Sequence, residues 1–192
     1  MSNLFSTKGI KETTSSNQKY IYGGVYHDVV ISNVAAGLSS QKQTPYVVIE
    51  MYTAEGGKES AKEFQFYFSE NAAEKSMVKI QHIFTKIGKL EDFENIVAND
   101  TVSFAAAIKP LIINGHLRMK FTAEQYENTA GEVKDVARIG LPPFAEAIAP
   151  GSSNEVVADA DTALVYDKNN QWDYKKLAVN PDINSSNNDA PF

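Results

Sequence analysis

The 192-residue sequence contains no cysteine. Disulfides and thiolate metal sites are therefore excluded, and a reducing compartment is a natural setting. Histidine is scarce too: His27, His82 and His116 lie far apart. No His-Glu-x-x-His, phosphate-cradling loop or Gly-x-Ser-x-Gly motif is present. Gly23-Gly24 and Gly56-Gly57 are not followed by the Lys-Ser/Thr that a phosphate cradle needs. Glu91-Asp92-Phe93-Glu94 has no histidine beside it and reads as a solvated acidic face rather than a metal site. The expectation is a protein that is not an enzyme and needs no cofactor or metal. No apolar run approaches the roughly 20 residues of a membrane-spanning helix. The start, Met1-Ser2-Asn3-Leu4-Phe5, lacks the charged and apolar regions of a signal peptide. A cytoplasmic protein without membrane contact is expected.

Charge of one sign is also lacking where it would count. The formal net charge is -6, which argues at first sight against a phosphate partner. Residues 151–192, however, hold seven acids against three bases, a net of -4. The preceding body is close to neutral, and a near-neutral body can carry a local basic groove.

Residues 1–19 are polar, without periodicity, and read as a flexible arm. Segments 25–34, 45–53 and 62–69 are β-branched or alternating and read as strands. Glu55-Gly56-Gly57-Lys58 marks the turn between the second and third. In the third, Phe64, Phe66 and Phe68 share one face and are expected in the core. The period then changes. Ala73, Met77, Ile80, Phe84 and Ile87 recur at steps of three and four, predicting an amphipathic helix over 69–88. Ser69-Glu70-Asn71 is the expected N-cap and Gly88 the expected stop. Segment 101–108 suits a strand or a helix by propensity and is assigned to a strand, since Pro110 and Asn114-Gly115 follow as hairpin signals. Segment 116–123 alternates Leu117, Met119 and Phe121 against His116, Arg118 and Lys120, and 132–140 adds a further strand. From Leu141 the pattern fades into Asn-, Ser- and Asp-rich sequence broken by Pro142-Pro143 and Pro150-Gly151. Trp172, Tyr174 and Leu177 are the exception in a segment otherwise expected to be disordered.

The expected organisation is an arm over 1–19, a domain over 20–145, and a largely disordered acidic tail over 146–192. The fold class is mainly β. Three strands, one helix and two strands form an OB-fold-like five-stranded barrel, whose closure removes exposed edges. An α+β sandwich with the helix across one sheet is the alternative.

The runs Gly24-Val25-Tyr26, Val29, Ile31, then Pro45-Tyr46-Val47-Val48-Ile49, then Phe66-Tyr67-Phe68-Ser69-Glu70 and a helix ending Ile87-Gly88 resemble phage-encoded single-stranded-DNA-binding proteins. The end, Asp189-Ala190-Pro191-Phe192, resembles the acidic run and Ile-Pro-Phe terminus of bacterial single-stranded-DNA-binding proteins, with Ala190 in place of Ile. The resemblance implies binding and protection of single-stranded DNA in phage replication or recombination, in a host cytoplasm. It also implies a tail that recruits replication or recombination proteins through Asp189, Pro191 and Phe192. A homodimer would let one tail reach a neighbour's groove. The competing expectation is a virion or assembly protein with a β-barrel body.

Single strands are held by basic side chains along the backbone and by aromatic rings under the bases. Tyr46, Tyr52 and Tyr67 are the candidate stacking residues. Lys42, Lys58, Lys62, Lys109, Arg118 and Lys120 are the candidate phosphate contacts. His116, Arg118 and Lys120 form the sharpest basic stripe, on one face of a strand.

Overall fold

The computed structural model describes residues 21–140, 144–148, 156–157 and 164–177. The expected arm over 1–19 and the terminal residues Asp189, Pro191 and Phe192 lie outside the described residues. The protein is mainly β, an open and predominantly antiparallel sheet accompanied by a few helices.

The strand β1 (Gly24–Leu38) is the longest element. It continues four residues past the expected boundary at 34. It pairs with β2 (Pro45–Thr53) and with β4 (His116–Glu127), both antiparallel. Two register shifts let it serve both. One falls between Ile31 and Asn33, leaving Ser32 as the extra residue, and the other between Tyr26 and Val29. Such bulges bend and twist a strand. The Ser32 hydroxyl is fastened to the Glu50 carboxylate, 2.5 Å away.

β3 (Lys62–Tyr67) adds to β2, and β5 (Val133–Arg138) adds to β4. The alternation in β3 holds: Phe64 and Phe66 are buried, and Phe68 packs partly buried against the same core. Leu117, Met119 and Phe121 of β4 are fully buried, as their period of two requires. Phe64 stacks on Phe121 at 5.0 Å across the core.

The helix α1 (Ala73–Lys86) presents Ile80, Ile83 and Phe84 inward. Its cap differs from the expected one. The N-cap is Ala72, with no side-chain bond; the Ser69 carbonyl accepts from the Ala72 and Ala73 N–H groups instead. The end is as expected. Gly88 has φ of +72°, its N–H donates to the Thr85 carbonyl, and the Lys89 N–H donates to Phe84. That pair of bonds is a Schellman motif.

α2 (Leu90–Glu94) is short, and α3 (Thr101–Ile112) corrects the expected strand over 101–108. Asp100 caps α3 by accepting from the Ser103 N–H at 2.7 Å, and Ser103 returns a bond to the Asp100 N–H. This reciprocal capping starts a helix. Phe104, Ile108 and Ile112 then recur every fourth residue and are all buried. Pro110 sits in the last turn, where only one carbonyl loses its donor.

The expected boundary at 146 also moves. β6 (Ala145–Ile148) pairs with β4, and β7 (Val156–Val157) pairs with β6. β8 (Tyr174–Lys175) pairs with β4 in parallel. The sheet thus has eight strands among the described residues rather than five, and three α-helices stand where one was expected. Its order is β3-β2-β1-β4-β6-β7, with β5 and β8 also on β4. No pairing joins β3 to β5 among the described residues, so the closure expected of a barrel is absent there. No described helix is long and apolar enough to cross a membrane.

A Cβ at Gly88 would meet nothing within 4 Å, so Gly88→Ala adds backbone strain alone. The expected loss is about 1 kcal/mol, read as a lower urea midpoint. An unchanged midpoint would show that α1 does not end in this motif.

Candidate nucleic-acid interface

Register decides which candidate residues meet. Tyr46 pairs with Tyr67 across β2 and β3. Their rings stand edge to face at 5.6 Å, the geometry that aromatic quadrupoles favour. Tyr67 is 37% exposed, so the pair is presented to solvent rather than packed inside. The Tyr46 ring covers Gly37, its register partner on β1; a Cβ at Gly37 would stand 2.5 Å from the tyrosine hydroxyl. Glycine is required there for the ring to lie across the sheet. The Tyr67 hydroxyl donates to Gln65 on the same face.

Lys42 joins this pair. It lies in the loop between β1 and β2 and lines a cleft of about 510 Å³ with Tyr67 and Ser69. A second cleft, of about 380 Å³, opens between β3, α1 and β5. Lys62, Lys75, Lys79 and Arg138 line it, with Glu63 as the one acid. The two clefts share Tyr67 and Ala72. Lys62 therefore belongs to the candidate surface, though on the inner side of β3, with its ammonium 5.8 Å from the Phe64 ring centre.

The cations of the second cleft are crowded. Burial, then the nearby Arg138 charge, hold the Lys62 amine below its ordinary range. Burial, then Lys75, do the same to Lys79. Lys79 donates to the Ile139 carbonyl at 2.6 Å. Arg138 faces Glu124 at 3.6 Å, whereas no ion pair to Lys62, Lys75 or Lys79 occurs among the described residues.

The other candidates fall elsewhere. Tyr52 shares the outer face with Tyr46 but stands at the far end of β2, beyond the Glu50–Glu63 register pair, whose charges disfavour phosphate. Lys58 lies in the turn at that far end. Lys109 donates to Asn33 at 2.8 Å over the edge of β1.

The stripe on β4 is not a free face. Arg118 is 2.5 Å from Glu146, which is 2% exposed and also accepts from the Leu164 N–H. Lys120 is 2.9 Å from Asp173, which also accepts from the Asp167 N–H. His116 meets Asp28 at 2.8 Å. The segments carrying Glu146 and Asp173 were expected in a tail; instead they lie over the stripe and neutralise it. Trp172 remains largely exposed on the turn that Asp173 anchors, while Tyr174 is buried.

Sequence reasoning missed Lys75, Lys79 and Arg138. The two lysines are four apart on α1 and hence on one face, a signal that lay beside the apolar stripe. Arg138 follows from the end of β5 only once its place opposite β3 is known. Among the described residues no group of three or more His, Asp or Glu is placed to hold a metal ion.

No family model matches the chain, and no curated protein matches it either. The interface therefore rests on its own geometry.

Two outcomes are expected. Glu146→Ala leaves Arg118 without its carboxylate and should cost about 3 kcal/mol in urea unfolding; a loss near zero would show the pair to be unimportant. For Lys62, a depressed folded-state pKa means the unfolded chain holds the proton more tightly. Its penalty is present below the folded pKa and is relieved as pH rises toward the ordinary lysine range. Lys62→Met should raise the thermal midpoint at neutral pH and reduce the climb of stability with alkaline pH, both read by circular dichroism.

Proposed function

We propose that this chain binds and protects single-stranded DNA without strong sequence preference, as the resemblance implies, through the Tyr46–Tyr67 face and the basic loop at its end. The observation that carries this is the tyrosine pair over Gly37, with Tyr67 exposed, Tyr46 half-buried, and Lys42 in the adjoining cleft. Every base has a π-face, so such a platform is tolerant of sequence, and each stack contributes roughly 1–3 kcal/mol. The pairing β3-β2-β1-β4-β5 supports an OB-type arrangement with its last seam open. In an OB-fold the faces of the second and third strands and the loop between the first two take oligonucleotides. The tyrosine pair, on β2 and β3, and Lys42, between β1 and β2, are consistent with that use.

The acids sharpen the path. Glu50 and Glu63 lie in the middle of the outer face, so a polyanion is confined to the Tyr46–Tyr67 end. Arg118 and Lys120 take no part, being held by buried carboxylates. Recruitment of replication or recombination proteins through Asp189, Pro191 and Phe192 belongs to the same proposal: a terminal aromatic, a carboxylate and a conformationally restricted proline suit an apolar pocket beside a basic residue.

Fluorescence polarisation with labelled oligo-dT tests it. Binding should weaken with rising salt as phosphate contacts are lost. Tyr46→Ala and Tyr67→Ala should each raise Kd by about tenfold, while Tyr52→Ala changes it little. An absence of salt-sensitive binding would leave the virion or assembly protein as the better account.

A further inference from the structure

We propose that the cleft between β3 and β5 is a docking slot for an extended acidic peptide, which adds as a strand between the two edges. The proposal stands apart from DNA binding on the tyrosine face.

Backbone directions along an antiparallel strand alternate from one edge to the other. The Phe68 N–H donates to Pro45 on β2. By period two, the N–H and C=O groups of Glu63 and Gln65 then point away from β2, into the slot. On the other side, the Asn128 N–H donates to Glu132 within the β4–β5 hairpin. By the same period, Asp135 and Ala137 turn their backbone groups away from β4, toward the slot. Among the described residues these slot-facing groups have no strand partner. Open edges of this kind are templates for another strand.

The helix α1 covers one end, and Ile21 and Tyr22 stand at the other, beside Lys62 and Asp135. The Ser76 hydroxyl donates to the Tyr67 carbonyl at 2.7 Å, and the Lys79 ammonium to the Ile139 carbonyl at 2.6 Å. These two bonds confirm the direction of both edges, since Tyr67 and Ile139 fall in the alternating series. They also show a polar group already seeking each edge.

Chemistry selects the occupant. The slot needs both donors and acceptors spaced along an extended chain, which a peptide backbone supplies and phosphates, being acceptors only, do not. Lys62, Lys75, Lys79 and Arg138 favour acidic side chains on the incoming strand. Phe64, Phe66, Ala137 and Ile139 form a buried apolar floor for the alternate positions. The matching ligand alternates acidic and apolar residues over about six positions, the length of β3. Residues 1–20 of this chain carry Lys8, Lys11 and Lys19 against Glu12 and have the wrong sign.

The test uses the full chain and a fluorescein-labelled, end-capped peptide of about eight residues alternating Asp and Val. Binding should saturate below about 1 mM. Lys75→Glu, at an exposed position, should raise Kd at least about tenfold, and the Lys75→Glu/Lys79→Glu pair more. A peptide N-methylated at alternate backbone nitrogens should bind at least about tenfold more weakly. Hydrogen exchange at Glu63, Gln65 and Ala137 should slow on binding to the unmodified peptide. Saturation by an alternating Lys and Val peptide, equal binding of the N-methylated form, or no binding at all would overturn the proposal. So would loss of oligo-dT affinity in Lys75→Glu with peptide affinity unchanged, which would make the slot a nucleic-acid groove.

Discussion

The curvature of β1 governs the rest of the molecule. A straight strand of its length could pair with β2 and β4 only by laying them out in one plane. The extra residue at Ser32 and the irregularity between Tyr26 and Val29 bend it instead. The bend carries β3, on the far side of β2, round toward β5, on the far side of β4. The two edges come to face each other without bonding, and α1 fills one end of the gap. The bulge is itself held from outside the core, by the Ser32 hydroxyl on Glu50. That bond also fixes one of the acids that divide the outer face, so the feature that bends the sheet helps to restrict where a polyanion can lie on it.

Charge is distributed by partnership rather than by amount. Arg118 and Lys120 each meet a carboxylate from the C-terminal third of the sequence, in surroundings too dry to leave either charge alone. Lys62, Lys75 and Lys79 meet no such partner among the described residues; Lys62 is crowded by Arg138, and Lys79 by Lys75. A cation already neutralised offers little to a ligand, and a cation left unpaired beside others offers much. The overall charge of -6 predicts neither outcome. It sums the acids that serve as internal counter-ions with those that are merely solvated.

Much of the fold could be read from alternation. Phe64 and Phe66, and Leu117, Met119 and Phe121, announced their strands because a sheet with one buried face enforces a period of two. The helix around Ile80 and Phe84, and its stop at Gly88, were equally legible. Segment 101–108 was not. Its propensity suits either element, and Pro110 and Asn114-Gly115 read as hairpin signals. Yet Asp100 and Ser103 formed a cap, and Phe104, Ile108 and Ile112 kept a helical period. Local capping and periodicity, with a core for the helix to pack against, outweighed those turn signals. The interface was half legible for a related reason. Tyr46 and Tyr67 are brought together by register between neighbouring strands. Glu146 and Asp173 reach Arg118 and Lys120 from 28 and 53 residues away, and composition alone placed both acids in a solvated tail.

The two candidate surfaces are joined through one strand. Tyr67 turns its ring to the outer face, while its carbonyl turns to the slot and is held by Ser76. β3 is an edge strand of only six residues, bonded on one side, and such a strand has freedom to lose. A peptide bonded along its open edge would limit that freedom and so steady the ring proposed to stack on a base. Coupling of this kind needs no movement of either site, because each ligand would meet the cost of ordering β3 that the other had already met. It is also reciprocal: an oligonucleotide on the tyrosine face would favour the peptide to the same degree. A single short strand can thus link the surface proposed for nucleic acid to the surface proposed for a protein partner.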